Sequence, residues 1–397
     1  MTQDKAAAHL AADHETRQTT LRAMIAVIAC ASLVGLTFGY SLPLLSIIME
    51  KAGIGSTLIG LSAASESAAI ILFGPFVPRL IGALGLRNAM FAGTLFGVVA
   101  LGALAFFEPL YVWFPLRFVL GGTIFLVLIA SDIWVTQGAS AKHRGRIIGI
   151  YGTAITGGMA VGPLLVGLIG SDGTLPIFIG AAILAGAALP LAFAHGPAPA
   201  MEEAGKLQTW ALLLAMPLLV AAVFAFGVVN SSALSLLPVF GLHLGMNEQT
   251  SAVLVTVLIA GSILLQFPIG WLADRIDRMH VLRMCAVAGT VAAIFLPISL
   301  GSDWAMWICL FIVGGSMVGL YTVSLAILGA RYSGGELAAA ITLFAMIFAV
   351  GSTLGPLIGG GAIDVWDPYG LNVLIICAFC LVLALAIFYG IRKRSGT

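Results

Sequence analysis

Charge is what this chain has least of. Charged residues fill 9% of its 397 positions, against about 25% in a soluble domain whose surface water must wet. So few charges cannot clothe a soluble particle of this size, and lipid must be the solvent for most of its exterior. The basic and acidic residues nearly cancel, leaving a net charge of +1, and no basic face appears, which argues against a nucleic-acid partner. Cysteine is scarce as well, with five in the chain. Cys30, Cys285 and Cys309 stand alone. Cys377-Ala-Phe-Cys380 has redox or zinc spacing, but it sits inside an unbroken apolar run without a second ligand pair, and reads as two small helix-packing residues. There is no Walker loop, no dinucleotide-binding glycine motif behind a strand and no ligand set for a catalytic metal. Those absences exclude ATP-driven transport and argue against a hydrolytic or redox enzyme; no cofactor or metal is expected.

What the chain does have is apolar length and a repeat. Hydrophobic residues make up 60% of it. At ~20 residues per crossing, it divides into twelve helices near 22–49, 56–78, 88–107, 110–137, 145–169, 175–194, 209–241, 250–272, 281–300, 304–329, 336–363 and 370–391. The first run is too long for a signal-peptide core of about 7–15 residues and is expected to be retained. The pattern Gly-x-x-x-Gly-Pro-Leu-x-x-Gly occurs at Gly158 to Gly167 and again at Gly351 to Gly360, about half a chain apart. Gly74 to Arg79 is echoed by Gly270 to Arg275, and Pro43 by Pro238, at nearly the same offset. A duplicated membrane bundle is the signature of a secondary transporter with its substrate site between the halves.

Charge sidedness tests the count. With both termini cytoplasmic, Arg22, Arg79, Arg87, Lys142, Arg144, Arg146, Lys206, Arg275, Arg278, Arg283, Arg331 and Arg392 fall inside. The outer loops keep Lys51 among acids: Glu50, Glu108, Asp172, Glu248, Asp303, Asp364 and Asp367. This is the positive-inside pattern, and one miscounted helix would scramble it downstream. The expected organisation is all-α and integral to the membrane. A cytoplasmic tail (1–21) precedes a six-helix bundle (22–194), a cytoplasmic linker (195–208), a second, pseudo-symmetric six-helix bundle (209–391) and a short cytoplasmic tail (392–397). The linker carries Gly196-Pro-Ala-Pro199 and Glu202-Glu203, which break a helix and favour water.

Twelve spans, a mid-chain linker and two related halves resemble the major facilitator superfamily. The resemblance covers nearly the whole chain after residue 20. Gly270-Trp-Leu-Ala-Asp274-Arg275-Ile-Asp277-Arg278 resembles the family's cytoplasmic-loop motif, with Asp277 in place of its second glycine. The copy at Gly74 and Arg79 has Pro78 where the acid should be. In the family such an acid and arginine latch the cytoplasmic side shut. Asp132 is one candidate partner for Arg79; the other reading solvates Asp132 with headgroups and Lys142 or Arg144. The fifth helix resembles the family's antiporter motif at Gly149, Gly158, Gly162, Pro163 and Gly167, with Val166 in place of one glycine. Glycines four apart let backbones approach and proline bends the helix. Ordinary packing is the competing reading, because Gly351, Gly355 and Pro356 repeat the pattern in the eleventh helix. Arg117-Phe-Val-Leu-Gly121 is similar to a fourth-helix family motif, with Leu120 replacing its glutamine. Small bacterial drug/proton antiporters share these features. The resemblance implies a multi-pass protein of a bacterial inner membrane, a small-molecule solute, protons and lipid as partners, and a monomer.

Ionisable groups deep in a membrane are functional candidates, and Glu66 and Arg117 are the two that qualify. Both lie at similar depths from the outer ends of their helices, so they can meet. Arg117 and Asp132 lie on one helix about 22 Å apart and cannot. Two readings stand: Glu66 carries a proton under the control of Arg117, or the two form a permanent salt bridge. In the family fold the central cavity is lined by helices one, four, seven and ten. They carry Tyr40, Ser41, Arg117, Asn230, Ser231, Ser232, Ser235, Ser316 and Tyr321. Asn230-Ser231-Ser232 is a glycosylation sequon that the membrane makes unusable. Gln266 and Asn372 read as helix glue. His280 and Met284 have the spacing of a copper pair, but Arg278 and Arg283 flank them and no second pair follows. The chain is therefore expected to be a proton-coupled secondary transporter that exports small neutral, amphipathic or weakly charged compounds by alternating access. The alternatives are a proton-linked importer of an organic anion anchored by Arg117, and a non-transporting membrane sensor or assembly factor on the same fold.

Overall fold

The computed structural model describes residues 2–107, 110–138, 144–193, 216–301, 303–332 and 334–395. Among them 12 helices are long and apolar enough to cross a membrane. They are α1 (Leu21–Lys51), α2 (Ser56–Leu84), α3 (Leu86–Ala103), α4 (Leu110–Gly138), α5 (Arg146–Ile169) and α6 (Leu175–Ala192). The second half supplies α7 (Pro217–His243), α8 (Glu248–Arg275), α9 (Arg278–Phe295), α10 (Trp304–Arg331), α11 (Ala340–Val365) and α12 (Gly370–Tyr389). Hydrocarbon offers backbone amides no partner, so a spanning chain must bond them within itself. The ends differ from expectation by a few residues: α3 stops at Ala103, and α9 covers Arg278–Phe295. The expected linker at 195–208 lies outside the described residues. The N-terminal segment continues the first span as one helix, Thr2–Lys51.

The two halves pack by the same device. In α1 and α5, a Cβ at Gly39 would stand 2.2 Å from the Met159 carbonyl oxygen, and one at Gly162 would stand 2.4 Å from the Gly39 carbonyl carbon. In α7 and α11, Gly355 would meet the Val228 carbonyl oxygen at 2.5 Å, and Gly351 that of Phe224 at 2.5 Å. The α2–α4 crossing has Gly121 against the Glu66 carbonyl oxygen, and the α8–α10 crossing has Gly314 against that of Leu258. Small residues at these crossings bring backbones into contact, where dispersion and packing hold membrane helices together. The repeated glycine-proline pattern is thus a pair of equivalent backbone contacts, one in each half.

Pro75 and Pro78 interrupt α2. A short 3-10 turn, Gly74–Phe76, separates Ser56–Phe73 from Val77–Leu84, because a proline nitrogen has no hydrogen to donate to the preceding turn. Apolar side chains such as Leu95, Phe96, Val99, Leu264 and Phe267 remain exposed and form the surface that lipid covers. Cys377 and Cys380 lie exposed on that surface and are free. This corrects their reading as packing residues: at i and i+3 they share the outward face of α12. Asn372 behaves as expected, donating 2.9 Å to the Ala293 carbonyl and tying α12 to α9, whereas Gln266 is exposed.

Candidate functional site: a buried ion pair beside a seam closed at one end

Glu66 of α2 and Arg117 of α4 meet. Arg117 is wholly buried and Glu66 is 2% exposed. The Arg117 Nε and Nη2 donate to Glu66 Oε2 at 3.2 and 3.1 Å, and Nη1 donates to Ser62 Oγ at 3.2 Å. Gly121, one turn after Arg117, makes this possible: a Cβ there would stand 2.1 Å from the Glu66 carbonyl oxygen and hold the helices apart. Both carboxylate bonds fall on one oxygen. Oε1 is buried and has no partner, an arrangement that leaves a desolvated acceptor unsatisfied. A proton on Oε1 would neutralise the carboxyl while Oε2 still accepts from the guanidinium. The next residue, Ser67, reaches the other half, with its hydroxyl 3.5 Å from that of Ser231 on α7.

At the face opposite the termini, polar bridges close the seam between the halves. Lys51 at the end of α1 reaches Glu248 at the start of α8, as well as Asp172 at 2.6 Å and Ser171 at 3.2 Å. Ser171 also donates to Glu248 at 2.7 Å. His243, at the end of α7, sits between Glu50 of α1, at 2.8 Å, and Asp367, which precedes α12. Asp364 at the end of α11 accepts from the Ser56 and Thr57 amides at 2.9 Å each, a carboxylate placed on the positive end of α2. Beneath these charges the backbones touch: Cβ atoms at Gly60 and Gly360 would stand 2.0 Å from the Pro356 and 2.1 Å from the Ser56 carbonyl oxygens.

Toward the termini the seam parts. Among the described residues, the hydrogen bonds that cross it go no deeper than Ser67–Ser231 and Thr256 to the Ala160 carbonyl, at 3.2 Å. Further along α5, a Cβ at Gly149, Gly152 or Gly157 would meet nothing within 4 Å. The result is a cleft between the halves, open on the terminus-bearing face. Asp132 of α4 is exposed there. The Tyr151 hydroxyl lies between the Leu128 carbonyl, at 3.3 Å, and the Asp132 carboxylate, so its single proton serves one or the other.

The expected latch is therefore not formed in this conformation. Asp132 turns toward the cleft and Tyr151, and Arg79 is exposed on the short helix after the α2 break, with no ion pair among the described residues. Lys142 and the Arg144 side chain lie outside the described residues. Gly74 lies against the Phe125 ring. In the second loop Arg275 covers the Trp271 ring at 3.9 Å, and Arg278 donates 3.0 Å to the Ala326 carbonyl of α10. Gly270 and Asp274 face open space and solvent. Asp277, where the family has glycine, accepts from the Met279 amide at 2.8 Å and caps α9.

Several expected cavity residues are sealed instead. Tyr40 is wholly buried between α1 and α6: its hydroxyl donates 2.8 Å to the Pro176 carbonyl and its ring fills the space left by Gly180. Ser41 and Ser316 are buried, and Ser235 bonds back to Ser231 of its own helix at 2.8 Å. Ser231 faces Ser67, and Ser232, also buried, has no partner. Arg117 is engaged by Glu66 and Ser62 and is not free to face the cleft. Asn230 and Tyr321 are half-buried, and Tyr321 stacks on Phe226 at 5.0 Å, which in turn lies 5.2 Å from Phe348. The expectation missed Lys51, Glu50, His243 and Asp367 as a group. A lone outer lysine among acids was the available signal.

Comparison with known proteins agrees with this architecture. The family model described as Major Facilitator Superfamily matches residues 27–259 and 241–397. The MFS-type transporter YfkF of Bacillus subtilis (strain 168), itself uncharacterised, is 26% identical over 351 residues, covering 87% of this chain and 90% of the relative. An uncharacterised MFS-type transporter of Yersinia pestis (strain Pestoides F) is 26% identical over 285 residues, 70% of this chain and 72% of the relative. Among solved structures, the nucleoside transporter NupG superposes with a TM-score of 0.74 at 16% identity, covering 94% of this chain and 98% of the other. A bacterial homologue of the human lysosomal transporter Spinster, inward-facing and unoccupied, gives 0.72 at 15% identity, covering 95% and 97%.

Proposed function

We propose that this chain, which belongs to the major facilitator superfamily of transporters, is a proton-coupled secondary transporter that exports small organic compounds. The family is not one of enzymes, and twelve apolar spans with bacterial relatives make it a multi-pass protein of the bacterial inner membrane. In this reading the basic, terminus-bearing face is cytoplasmic, so the conformation described is inward-open. The two halves rock about the Ser67–Ser231 contact to expose the cleft alternately. Export rather than uptake rests on the α5 glycine-proline motif, and on Arg117, the anchor that uptake of an anion would need, being engaged by Glu66 and Ser62.

The observation that carries proton coupling is the bare Glu66 Oε1. A buried carboxylate bonded on one oxygen by a cation can gain and lose a proton without dismantling its other bonds, and it stands one residue from the moving seam. Protonation on Oε1 removes the charge attraction to Arg117 while Oε2 still accepts from the guanidinium, which eases the hold of α4 on α2 beside the Ser67–Ser231 contact. Deprotonation restores it. A permanent structural bridge would bind no proton in the cycle.

The test is solute-driven proton flux in proteoliposomes, with a panel of amphipathic compounds and small carboxylates, for wild type and Glu66→Gln. Proton movement opposite to an amphipathic solute is expected. In Glu66→Gln it should vanish while solute counterflow, which needs no net proton movement, persists. Full pH-driven transport by the variant would refute the carrier role, and co-directional movement with a carboxylate would replace export by uptake.

A further inference from the structure

His243, at the closed end of the seam, has a carboxylate at each ring nitrogen. Its Nε2 lies 2.8 Å from Glu50 Oε1 of α1, and its Nδ1 contacts Asp367 Oδ1, just ahead of α12. The Glu50 bond crosses the seam, whereas the Asp367 bond stays within the second half. A neutral imidazole has one N–H and one lone pair, and an ionised carboxylate can only accept. A neutral ring between two carboxylates would set its lone pair against an oxygen. Two bonds therefore need one more proton, carried on the ring as imidazolium or shared with a carboxyl. Either way, the closed bridge holds a proton.

Opening this end changes how well that proton is held. Glu50 leaves with the first half and withdraws one of the two anions that favour it. The other charges around the ring are engaged elsewhere. Lys51 of α1 reaches Asp172 and Glu248 of α8, and Asp364 of α11 accepts from the Ser56 and Thr57 amides of α2. Among the described residues no other charged side chain bonds to the ring. Of the side-chain types in these bridges, histidine is the one that ordinarily changes charge between about pH 5 and 8. His243 and Glu50 are 20% and 22% exposed and Asp367 is 61% exposed, so the cluster can exchange protons with the solution on its own side.

We propose that His243, Glu50 and Asp367 form a second proton-binding site, facing the outer solution, that is filled while the outer end is shut and vacated as it opens. The site carries no proton across the membrane. It makes outer acidity a brake on outward opening, while in the transport reading the same acidity loads Glu66. The inference rests on that reading for which face is outside, and requires neither export nor a proton on Glu66. Because the shut end binds the proton more tightly, the shut state is favoured at low outer pH and loses that advantage as pH rises through the titration of the bridge.

Spin labels across the outer ends of α1 and α8 read the shut fraction in uniformly oriented proteoliposomes whose two solutions are buffered separately. The ratio of shut to open protein is expected to fall a few-fold as outer pH rises from about 5 to 8, and to stay level when inner pH alone is changed. His243→Gln should flatten the outer response. His243→Lys, whose amine ordinarily titrates near pH 10.4, should keep the end shut across the range, an outcome that a merely structural role for the ring does not predict. Glu50→Gln should remove most of the response, because Glu50 is the anion that opening withdraws, and Asp367→Asn should move it to lower pH. A response that persists in His243→Gln, or that follows inner pH in wild type, overturns the site. If the His243 variants do not fold, Glu50→Gln decides: an undiminished response there refutes the proposal. Glu66→Gln separates this inference from the transport reading. It should keep the outer response even with proton flux lost, and flux unaffected by that variant would sink the carrier and leave the His243 site standing.

Discussion

The two ends of the seam between the halves are built from different materials. Opposite the termini, Lys51, His243, Glu248, Glu50 and Asp364 form cross-seam bridges over backbone contacts at Gly60 and Gly360. Toward the termini, α5 presents Gly149 and Gly157, and α4 presents Asp132, to open space. Charged bridges are partly exposed at the closed end and worth only about 0.2–1 kcal/mol each. The backbone contacts beneath them set how near the halves can come. The difference teaches that closure is a fit between small residues, with reversible charges laid on top. An end sealed by large apolar surfaces would be slow to release; several weak bridges can break one by one.

The largest break in this asymmetry should come from Gly60→Val. Its side chain would meet the Pro356 carbonyl of α11, and overpacking of this kind costs about 1–3 kcal/mol, charged to the closed state alone. Spin-label distances across the Lys51 end should lengthen by several ångströms. Gly149→Val, at the open end, should leave those distances as they are. Equal responses from the two variants would remove the distinction between fit and opening.

A smaller effect is expected from Lys51→Met. It leaves Asp172 and Glu248 without their shared cation, so the open-outward population should rise a few-fold, read as maleimide labelling of a cysteine placed at Ser67. High salt should mimic the variant in wild type, since exposed pairs are screened.

The smallest is the pH response of His243. The charged groups that face it are Glu50 of α1 and Asp367 before α12. The imidazolium attracts both carboxylates, so the bridge is complete at acid pH and weakens as rising pH removes the proton. Labelling at Ser67→Cys should therefore increase modestly toward alkaline pH, and His243→Gln should flatten that dependence. A profile unchanged by the substitution would assign the pH response elsewhere.

Much of this was legible without coordinates because the bilayer imposes few solutions. Length and hydropathy place the spans, sidedness of arginine checks their number, and the repeat of Gly162-Pro163 at Gly355-Pro356 announces two related halves. Glu66 and Arg117 could be put at one level from depth alone, since two helices rise equally, but that they meet is seen only in the fold. Rotation about a helix axis was not legible. Tyr40 lies on a helix expected to line the cavity, yet Gly180 opens a slot for its ring within the first half.

Composition and order along the chain thus determined the solvent of this protein, its helices, its twofold plan and the shared depth of Glu66 and Arg117, because each follows from local hydrophobicity or from distance along a single helix. The tertiary structure decided which face each helix turns inward and which end of the seam is shut. It left Glu66 Oε1 bare, turned Asp132 into the cleft and gathered Glu50, His243 and Asp367 at one point. Those outcomes depend on how small residues let distant backbones approach, and the energy of an approach belongs to the pair of surfaces rather than to either stretch of sequence.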